Sequence, residues 1–546
     1  MGFLTYWTEF GDMTMSNTTQ TTMADLPEEL QKMAILAFTE EANVENITDK
    51  ITKSHFTISV AISSDGSRVA VGAIGISLGD YVNLGSVYVF LKTSTGWIQE
   101  VRLTSGKIKE RDIFGNSVSI SANGSTIVVG ACNYDESLSD SGAAYIFLRT
   151  GTTWTQEAVL VPNDGKGGDY FGNSVAVSAD GSRVVIGAMR ADLGNTPNTG
   201  AVYIFSRSVR VWSQEAKLLA SDRAVYDYFG RSVSITSDGS RVVIGTPDRN
   251  GGVSSSGAAY IFLRTNTTWT QEAKLLASDR AANDNFGYSV AITSDGSRVV
   301  VGAHYSDPSG TTNAGAAYIF LRTDTTWTQE AKLTAPDKKA YIFFGNSVSI
   351  SSDGARVVIG ADCDSPGDII QAGAVYIFDR IGTTWSFKSK LVAIDKDVSD
   401  FFGRSVAISS DGYRVVIGAL KSTYDGVDAI TDRSGFIYDY DIPNCQKLLH
   451  GDDFLKDIED KIDKKDLPFI SRLIVDYLSN VHTPKPSDPA KSLIPNEAVE
   501  TVRISMDIND NIVEVVQSKF GYDFVYCHGN IFIFTKNKVT LVVTAI

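Results

Sequence analysis

Small, apolar and polar positions follow a pattern that recurs every 57 or 58 residues between residues 56 and 440. The copy that begins at Phe286 contains four apolar or alternating segments: Ser289–Ile292, Arg298–Val301, Tyr318–Leu321 and Trp327–Leu333. Short segments of this kind, bounded by Gly, Asp, Ser or Thr, are typical of β-strands joined by tight turns. The first turn has the sequence Ser-Asp-Gly-Ser, and we expect positive φ angles at its Asp-Gly pair. Each copy is therefore predicted to fold into a four-stranded antiparallel sheet.

The fourth segment carries both a tryptophan and charged residues. Strict alternation predicts that Trp327, Ala331 and Leu333 share one face of the strand. Glu330 and Lys332 would then lie on the other face, where charges on an outermost strand oppose pairing with other chains. The repeated tryptophans are predicted to pack between neighbouring sheets rather than to stack against sugars.

Seven copies of this unit stand in tandem. Six begin with a Phe-Gly pair, at Phe114, Phe171, Phe229, Phe286, Phe344 and Phe402, and a degraded first copy begins at Phe56. Four-stranded units repeated at a constant period predict an all-β fold, a seven-bladed β-propeller, within residues 26–441.

The N-terminal side offers the strand that would close the propeller. The last copy ends after Tyr440 without the tryptophan-bearing fourth segment of the six earlier copies. Residues 38–44, Phe-Thr-Glu-Glu-Ala-Asn-Val, match that segment with Phe38 in the tryptophan position. We therefore predict that strand 38–44 completes the seventh blade. Trp7 is a rival donor, but it lies 49 residues before Phe56.

The two flanks break the pattern. Residues 1–25 are polar and are predicted to form a flexible tail, followed by a short helix near 27–33. Residues 442–546 are predicted to form a small α+β domain, with helical spacing at Phe454, Ile458 and Ile462. Its strands are expected near Val502–Asp507, Phe524–Cys527, Ile531–Thr535 and Lys538–Thr544.

Charge limits the classes of partner. The formal net charge is -15 and the sequence pI is about 4.9. This balance argues against nucleic acid and against anionic membrane surfaces as main partners. It is equally compatible with a charge that serves only to keep a large β-protein in solution.

Cysteine usage and hydropathy bear on the compartment. The four cysteines are scattered without CxxC spacing, so we expect free thiols. No run of 18 apolar residues occurs, and no transmembrane segment is predicted. The N-terminus lacks a basic region and an apolar stretch, so an intracellular or particle-associated location is expected rather than secretion.

The recurring Phe-Gly, the mid-copy Gly-Ala and the following Gly-Ala-Ala/Val-Tyr-Ile-Phe resemble FG-GAP repeats. The resemblance covers about residues 38–440, and the Trp-Thr-Gln-Glu-Ala-Lys-Leu consensus is especially similar to the microbial branch of the family. It implies the seven-bladed propeller of integrin α chains and of many microbial and viral surface-type proteins. Members of this family mostly supply binding surfaces, and they differ in what they bind.

One departure from the family concerns calcium. Integrin-type repeats often carry a loop of spaced Asp and Asn residues between the first and second strands. Here that loop is a tight turn with one acidic or amide residue before Gly, such as Asp295. One carboxylate cannot supply the roughly six to eight oxygens that Ca²⁺ requires. We therefore expect no calcium in these turns, and no cofactor is predicted.

Sequence divergence points to one face of the predicted propeller. The loops between strands 2 and 3 share a face with those between strands 4 and 1. The 2–3 loops differ among the copies, whereas the turns of the opposite face are nearly uniform. Divergent polar loops are typical of recognition surfaces, although neutral drift would give the same result. The candidate binding residues are Tyr134, Asp135, Asp248, Arg249, His304, Tyr305, and, in the longest loop, Tyr424, Asp425, Asp428 and Asp432.

Acidic residues offer little further chemistry. Those two positions before the phenylalanine, such as Asp112 and Asp284, are predicted to make turns by accepting backbone hydrogen bonds. Asp362, Asp364 and Asp368 form the one weak candidate for a metal site. No GxSxG, HExxH or Walker motif occurs, so no catalytic residue is predicted.

These features favour a non-enzymatic scaffold that binds a protein or glycan partner through the 2–3 and 4–1 face. The C-terminal domain would serve attachment or oligomerisation. The alternative is a structural component of a larger assembly, such as a virion or a surface layer. An enzyme with an axial active site is the least favoured hypothesis.

Overall fold

The computed structural model describes residues 56–424 except 75–83, 95, 110, 136–138, 195, 249–253, 338 and 394–395, and it describes 430–441. Elsewhere it describes strands at 4–5, 20–21, 41–43, 499–504, 523–528, 531–536 and 539–545. Side chains are described between residues 58 and 420. The chain divides into two compact units, Glu41–Asp441 and a unit formed by Met1–Glu40 with Ile442–Ile546.

The unit Glu41–Asp441 is an all-β propeller whose blades are four-stranded antiparallel sheets. In six blades the four strands follow one another along the chain. Blade 1 comprises Phe56–Ile62, Arg68–Ala73, Ser86–Thr93 and Gly96–Leu103. Blade 2 comprises Phe114–Ile120, Thr126–Ala131, Ala143–Thr150 and Thr153–Leu160. Blade 3 comprises Phe171–Val177, Arg183–Ala188, Ala201–Ser208 and Val211–Leu218. Blade 4 comprises Ser232–Ile235, Arg241–Thr246, Ala258–Thr265 and Thr268–Leu275. Blade 5 comprises Ser289–Ile292, Arg298–Ala303, Ala316–Thr323 and Thr326–Leu333. Blade 6 comprises Ser347–Ile350, Arg356–Ala361, Ala374–Ile381 and Thr384–Leu391. Within the loops that the structure describes, Pro308–Gly310 and Pro366–Asp368 form short 3₁₀ turns.

A further sheet joins distant parts of the chain. It combines Ser405–Ile408, Arg414–Tyr424 and Ile430–Asp441 with Glu41–Asn43, and we call it the composite sheet. Glu41–Asn43 lies within the strand that the sequence predicts at 38–44. The other four residues of that prediction lie outside the described residues.

The register of the composite sheet matches that of the blades. Ala42 lies opposite Asp439 on the third strand. In blade 5, Ala331 of the Trp-Thr-Gln-Glu-Ala-Lys-Leu segment lies opposite Ile319 at the equivalent position. The alignment of residues 38–44 with that segment therefore predicts the pairing of Ala42 and Asn43, whereas Glu41 is paired with Tyr440 although the equivalent Glu330 has no partner.

The second strands form the core between blades because they are apolar on both faces. In blade 5, Val299, Val300 and Val301 are all fully buried. Val299 and Val301 pack against blade 4, whereas Val300 packs against blade 6. Phe286 is also buried and packs edge-on against Tyr318 at a ring-centroid distance of 5.4 Å. Each blade thus shares an apolar interface with its neighbours.

The Gly-Ala and Phe-Gly pairs let neighbouring blades approach at backbone distance. A Cβ on Gly302 of blade 5 would lie 2.0 Å from the carbonyl oxygen of Gly345 in blade 6. The Ser289 hydroxyl donates a hydrogen bond to the same carbonyl at 2.8 Å. The equivalent close contact recurs at Gly72, Gly130, Gly187, Gly245 and Gly360. The next blade therefore requires glycine at this position.

The fourth strands do not alternate strictly, because each carries a β-bulge. In blade 5 the bulge lies at Glu330, which has no partner on the third strand. Trp327 packs against blade 4, whereas Ala331 and Leu333 pack against blade 6. The prediction that these three side chains share one face is therefore wrong. The prediction that the tryptophan packs between blades is confirmed.

The bulged glutamate holds two blades together. Glu330 accepts hydrogen bonds from Arg298 Nε of its own blade at 2.9 Å and from Trp385 Nε1 of blade 6 at 3.2 Å. Burial opposes the charge of Glu330, but these hydrogen bonds lower its pKa below the ordinary value. Glu100, Glu215 and Glu272 each bind one arginine of their own blade and one of the next blade. The charges of the outer strands thus act within the propeller.

The turn between strands 1 and 2 differs in detail from the expectation. The Asp295 carboxylate accepts hydrogen bonds from the Ser297 N–H at 2.9 Å and the Thr293 hydroxyl at 2.7 Å. Gly296 has a φ of +69°, but Asp295 does not have a positive φ. The Thr293 N–H donates to the Arg298 carbonyl, so four residues lie between this bonded pair. The two-residue hairpin turn, which would place both Asp295 and Gly296 at positive φ, is therefore not formed.

The second unit also contains strands. Leu4–Thr5 pairs with Gln20–Thr21. A four-stranded sheet has the order Val499–Ile504, Val539–Ala545, Ile531–Lys536, Asp523–His528, close to the four positions predicted for strands. The helical patterns predicted near 27–33 and 454–462 lie outside the described residues.

Substitution of Gly302 tests the backbone contact between blades. We expect Gly302→Ala to lower the free energy of unfolding by at least about 3 kcal/mol, because two strands must separate to admit the Cβ. Gly106→Ala is the matched control, since a Cβ there meets nothing within 4 Å. Its expected change is within about 0.5 kcal/mol, measured by urea unfolding. Equal unfolding midpoints for the two variants would show that the contact does not limit blade packing.

Candidate functional site

The 2–3 loops and the 4–1 segments lie together on one face of the propeller, which we call the loop face. The Tyr341 N–H donates to the Thr312 carbonyl at 2.9 Å and so joins the two kinds of segment. On the opposite face, the 1–2 turns of neighbouring blades bond to each other, as between the Ala122 N–H and the Ala179 carbonyl at 3.1 Å. The two sets of loops therefore occupy separate faces, as the strand order predicts.

Tyr134 and Asp135 belong to the 2–3 loop of blade 2. Tyr134 is buried in the core between blades 1 and 2 and packs edge-on against Tyr145 at 6.0 Å. The backbone carbonyl of Asp135 accepts a hydrogen bond from Lys109 Nζ at 2.8 Å. Tyr134 therefore stabilises the base of the loop, and the half-buried Asp135 lies nearer the surface.

Two other predicted sites are only partly described. Asp248 accepts a hydrogen bond from the Asn285 amide at 3.1 Å, and burial raises its pKa. Arg249, Asp425 and Asp428 lie outside the described residues. The backbones of Tyr424 and Asp432 lie in two long strands of the composite sheet, where Thr423 is paired with Asp432. Part of the predicted long loop is therefore a strand extension.

The acidic group at Asp362, Asp364 and Asp368 is divided among different partners. Asp362 is buried and accepts from Arg404 Nη1 at 3.0 Å. Asp364 is buried and accepts from the Tyr376 hydroxyl at 2.6 Å, while Asp368 is exposed. Among the described residues, no group of three or more His, Cys, Asp or Glu side chains could hold a metal ion.

The acidic residues before each Phe-Gly pair make turns. The Asp112 carboxylate accepts a hydrogen bond from the Lys109 N–H at 2.6 Å, and Asp284 accepts from the Ala281 N–H at 2.7 Å. Asp169, Asp227 and Asp400 make the equivalent bond. Both Asp112 and Asp284 are buried, and burial raises their pKa. The prediction of a turn-forming role is confirmed.

A polar cluster stands where the innermost strands reach the loop face. The first strands of neighbouring blades contact one another and so surround the axis. The residue after each Phe-Gly pair lies at the loop-face end of these strands: Asn116, Asn173, Arg231, Tyr288, Asn346 and Arg404. His304 and Asp362, which follow the Gly-Ala pairs of blades 5 and 6, join them. We call Arg231, Tyr288, His304, Asp362 and Arg404 the axial cluster.

His304 lies at the centre of this cluster. Its ring centroid is 3.9 Å from that of Tyr288 and 3.9 Å from that of Tyr305. The side chain is only 5% exposed, and its Nδ1 has no hydrogen-bond partner among the described residues. Burial, together with the positive charges of Arg231 and Arg404, lowers the pKa of His304 to about 3. The imidazole is therefore neutral at physiological pH.

The two arginines of the cluster have different partners. Arg404 forms the ion pair with Asp362, and the Asn346 amide donates to the same carboxylate at 3.2 Å. Arg231 donates from Nη2 to the Tyr288 hydroxyl at 2.8 Å, with its guanidinium 4.6 Å from the centroid of that ring. No carboxylate of the described residues lies within ion-pair distance of Arg231. The cluster therefore contains one paired and one unpaired guanidinium.

The 4–1 segments also carry strained aromatic residues. Three positions before each described Phe-Gly pair the backbone has a positive φ, at Arg111, Gly168, Tyr226, Asn283, Tyr341 and Ser399. Tyr226 and Tyr341 have φ values of +60° and are 53% and 57% exposed. A left-handed backbone costs a residue other than Gly about 1 kcal/mol or more. Two exposed tyrosines are thus held in a conformation that favours Gly or Asn.

The sequence predicted His304 and Tyr305 but missed Arg231, Tyr288 and Arg404. A signal for the missed residues exists, because the residue after Phe-Gly varies among copies while its neighbours do not. The divergence of the loops does not reveal them, because these residues directly precede strands. Nothing in the sequence of a single copy predicts the left-handed backbone at Tyr226 and Tyr341.

The four-stranded sheets and their two distinct faces define a β-propeller. Six segments of the chain match the FG-GAP repeat family: residues 97–147, 154–205, 212–262, 269–320, 327–378 and 385–438. The matches cover more than half of the chain, which therefore belongs to the FG-GAP repeat family. Each match begins at the tryptophan of a fourth strand and ends in the third strand of the next sheet.

Solved structures give a more distant likeness. The crystal structure of the RRP9 WD40 repeats aligns with a TM-score of 0.45 at 9% identity, covering 72% of this chain and 95% of that chain. The structure of U3-55K aligns with a TM-score of 0.45 at 10% identity, covering 72% and 96%. Scores this low carry no argument about function. No curated protein matches the chain.

Two further features bear on chemistry and location. Cys132 and Cys363 are free thiols, and burial raises their pKa to about 11 and about 12. Both are therefore protonated and weakly nucleophilic near neutral pH. In the part of the chain that the structure describes, no helix is long and apolar enough to cross a membrane.

The low pKa of His304 predicts a measurable acid sensitivity. The unfolded state takes up a proton below pH 6.5 while the folded state resists until about pH 3, so stability falls as pH drops through this window. At pH 4 this group would contribute a loss of up to about 3 kcal/mol relative to pH 7.5. His304→Phe keeps an aromatic ring, and we expect it to remove that part of the pH dependence. Urea unfolding midpoints at the two pH values test this.

The control is His304→Gln, which keeps a neutral polar side chain and should flatten the same part of the pH profile. Acid destabilisation from the carboxylates remains in all three proteins. If wild type and both variants lose equal stability between pH 7.5 and pH 4, the pKa of His304 is not depressed.

Proposed function

We propose that this chain is a non-enzymatic, seven-bladed β-propeller of the microbial FG-GAP type that binds a protein or glycan partner through its loop face. The observation that carries the proposal is the pair of exposed tyrosines, Tyr226 and Tyr341, in left-handed backbone on that face. The other described 4–1 segments carry Arg111, Gly168, Asn283 and Ser399 at this position, so the fold requires the positive φ but not a tyrosine. Strain of this kind persists at positions where the side chain has a use.

Strain alone does not mark the binding face. Val209, on the 3–4 turn of blade 3, also has a positive φ and is largely exposed. The 3–4 turns of the other blades also have a positive φ, but at Gly, Asn or Asp, as at Gly151, Asn266 and Asp324. The tyrosines recur in two blades and lie among the loops whose sequences diverge. Recurrence and position together favour the loop face.

The titratable groups support binding rather than catalysis. A general acid or base needs a pKa near the working pH. His304 has a pKa of about 3, and the described cysteines have pKa values of about 11 and about 12. Asp362 and Asp364 are already held by Arg404 and Tyr376. We therefore propose no catalytic residue and no cofactor.

The proposed count of seven blades is supported by the surroundings of the composite sheet. Towards blade 6, the Ser352 N–H donates to the Ser410 carbonyl at 3.0 Å. Towards blade 1, the Ser410 N–H donates to the Ser64 carbonyl at 3.1 Å, and Val416 packs against Val69. A sheet flanked on both sides in this way would be the seventh blade, closed by Glu41–Asn43.

Engineered disulfides test the closure. Ala42→Cys with Asp439→Cys places two cysteines at directly opposed positions. We expect them to cross-link within the monomer and to raise the thermal unfolding midpoint, because the bond retains the closing strand. Gel mobility without reductant and calorimetry provide the measurements.

The matched control is Ala42→Cys with Tyr440→Cys, one residue out of register. Side chains at neighbouring positions of a strand point to opposite faces, so this pair should remain reduced. Closure in this register is contradicted if neither pair cross-links, or if the control cross-links alone.

Glycine substitutions distinguish the effect of a tyrosine on backbone strain from its effect on partner binding. Tyr341→Gly relieves the left-handed backbone and should leave the free energy of unfolding unchanged or raised by up to about 1 kcal/mol. We expect it to weaken partner binding at least about tenfold, as loss of an exposed aromatic anchor does. Binding is measured by capture on the immobilised full chain and on a glycan array.

Val209→Gly is the control on the opposite face, because it relieves a comparable backbone and should not affect binding. Equal binding by the two variants would refute the proposed role of the loop face.

The second candidate function, a component of a larger assembly, is favoured by the sheet of the second unit. The sequences of its strands Ile531–Lys536 and Val539–Ala545 are mostly apolar. Strands of this composition are typical of sheets that are covered on both sides. We propose that residues 442–546 form a separate domain for attachment or oligomerisation. Self-association that Tyr341→Gly leaves intact would favour this candidate.

A further inference from the structure

We propose that the axial cluster binds a carboxylate group, supplied by an aspartate or glutamate side chain of a protein partner. The inference rests on the proposed binding function of the loop face and narrows it to an acidic protein segment. The geometry points to Arg231 as the main contact, with Arg404 and His304 beside it.

Arg231 differs from most half-buried arginines of the propeller in having no carboxylate partner among the described residues. Eight arginines of the second and third strands are paired with glutamates: Arg68, Arg149, Arg183, Arg207, Arg241, Arg264, Arg298 and Arg322. Two others, Arg102 and Arg380, bond to the Ser86 hydroxyl and to backbone carbonyls. Arg231 has only the Tyr288 hydroxyl and ring as partners among the described residues. A guanidinium removed from water is stabilised most by a planar anion that takes two of its N–H groups. An external carboxylate would supply that anion.

The neighbouring ion pair shows that the cluster accommodates a carboxylate. Asp362 is held there by Arg404 Nη1 and by the Asn346 amide. The Arg404 side chain is 37% exposed and uses one of its N–H groups in that ion pair. Burial opposes its charge, but Asp362 and Tyr288 raise its pKa above the ordinary value. Arg404 and Arg231 both lie within electrostatic range of His304, so the partly exposed Arg404 adds positive charge to the region that contains Arg231.

The aromatic walls of the cluster strengthen such an interaction. His304 lies between Tyr288 and Tyr305, and the Phe343 ring centroid is 5.3 Å from that of Tyr305. These side chains limit access of water, and charge-assisted hydrogen bonds gain strength where water is excluded. His304 contributes a neutral ring to these walls, and its buried Nδ1 has no partner among the described residues.

The guanidinium groups of the axial cluster favour an anionic ligand over an uncharged one. Arg231 and Arg404 both lie within electrostatic range of His304, and of the two only Arg404 is paired with a carboxylate of the described residues.

The available donors favour a peptide over a sugar. A sugar also needs acceptors for its hydroxyl groups, yet the nearby asparagines are already used between blades. The Asn173 amide, for example, donates to the Gly230 carbonyl at 3.0 Å and its oxygen accepts from the Met189 N–H at 2.9 Å. The polar capacity that remains is that of guanidinium N–H groups.

The test uses the full chain and a fluorescein-labelled hexaglutamate peptide, with hexaglutamine as the uncharged comparison. Binding is followed by fluorescence anisotropy at low ionic strength. We expect the wild type to bind hexaglutamate and not hexaglutamine. Arg231→Gln should weaken binding at least about tenfold. Arg231→Lys should give an intermediate loss, because lysine keeps the positive charge but lacks the paired N–H donors of the planar guanidinium.

Arg223→Gln is the matched control. Arg223 is exposed on the 4–1 segment of the same face, so its loss removes one charge without touching the cluster. We expect it to change affinity less than about twofold. Equal losses for the Arg223 and Arg231 variants would show general attraction and overturn the proposal. Arg404→Gln is not used alone, because it leaves the buried Asp362 unpaired.

Two further outcomes also decide the matter. If 3′-sialyllactose binds in an Arg231-dependent manner and hexaglutamate does not, the carboxylate belongs to a sugar and the proposed protein partner is wrong. If Tyr341→Gly abolishes capture of a partner while Arg231→Gln does not, the loop face binds as proposed but the axial cluster has no part in it. Failure of the inference and failure of the proposed function are thereby distinguished.

Discussion

The propeller depends on how closely the backbone of one blade approaches the next. Gly302 lies against the carbonyl of Gly345 at a distance that leaves no room for a Cβ. Because main chains meet here, the inner strands lie close around the axis, and the Phe286 and Tyr318 rings fill the space behind them. The Ser289 hydroxyl satisfies the carbonyl that this contact would otherwise bury alone. The repeated Phe-Gly, Gly-Ala and Ser residues follow from this one contact.

The same constraint divides the chain into fixed and variable positions. The residues that face a neighbouring blade are the same from copy to copy, since each blade presents the same surface to the next. The residue after Phe-Gly lies at the loop-face end of the first strand, and it differs among the blades. Asn173 still bonds across blades, whereas Arg231 and Tyr288 bond to each other within the axial cluster. Variation at the axis is thus tolerated by the scaffold and available for recognition.

Much of the fold could be predicted from the sequence because its determinants are local and repeated. The period, the Asp-Gly turns and apolar runs such as Val299–Val301 predict the strands and their order. The match of residues 38–44 to the fourth segment gives the register of Ala42 and Asn43. The bulge at Glu330 could not be predicted, since it arises where the glutamate binds Arg298 and the next blade's tryptophan together.

The candidate site was predicted less well for a related reason. His304 and Tyr305 differ from the other copies and could be found by comparing loops. Tyr134 also differs from the other copies, but it is buried against Tyr145. No pattern within the loop sequence distinguishes this buried tyrosine from an exposed one such as Tyr305. Arg231 and Arg404 come from distant copies, and only the circular arrangement of blades brings both within electrostatic range of His304.

The pairing of Glu41–Asn43 with Ile430–Asp441 also sets how the propeller would respond to force. The strands are antiparallel, and Glu41 lies opposite Tyr440, so the chain enters and leaves this sheet at the same corner. Tension applied between the two flanking segments would load these backbone hydrogen bonds one after another. The pair would open like a zipper, at lower force than strands pulled past each other, and the intact blades behind it would bear none of the load until it had opened.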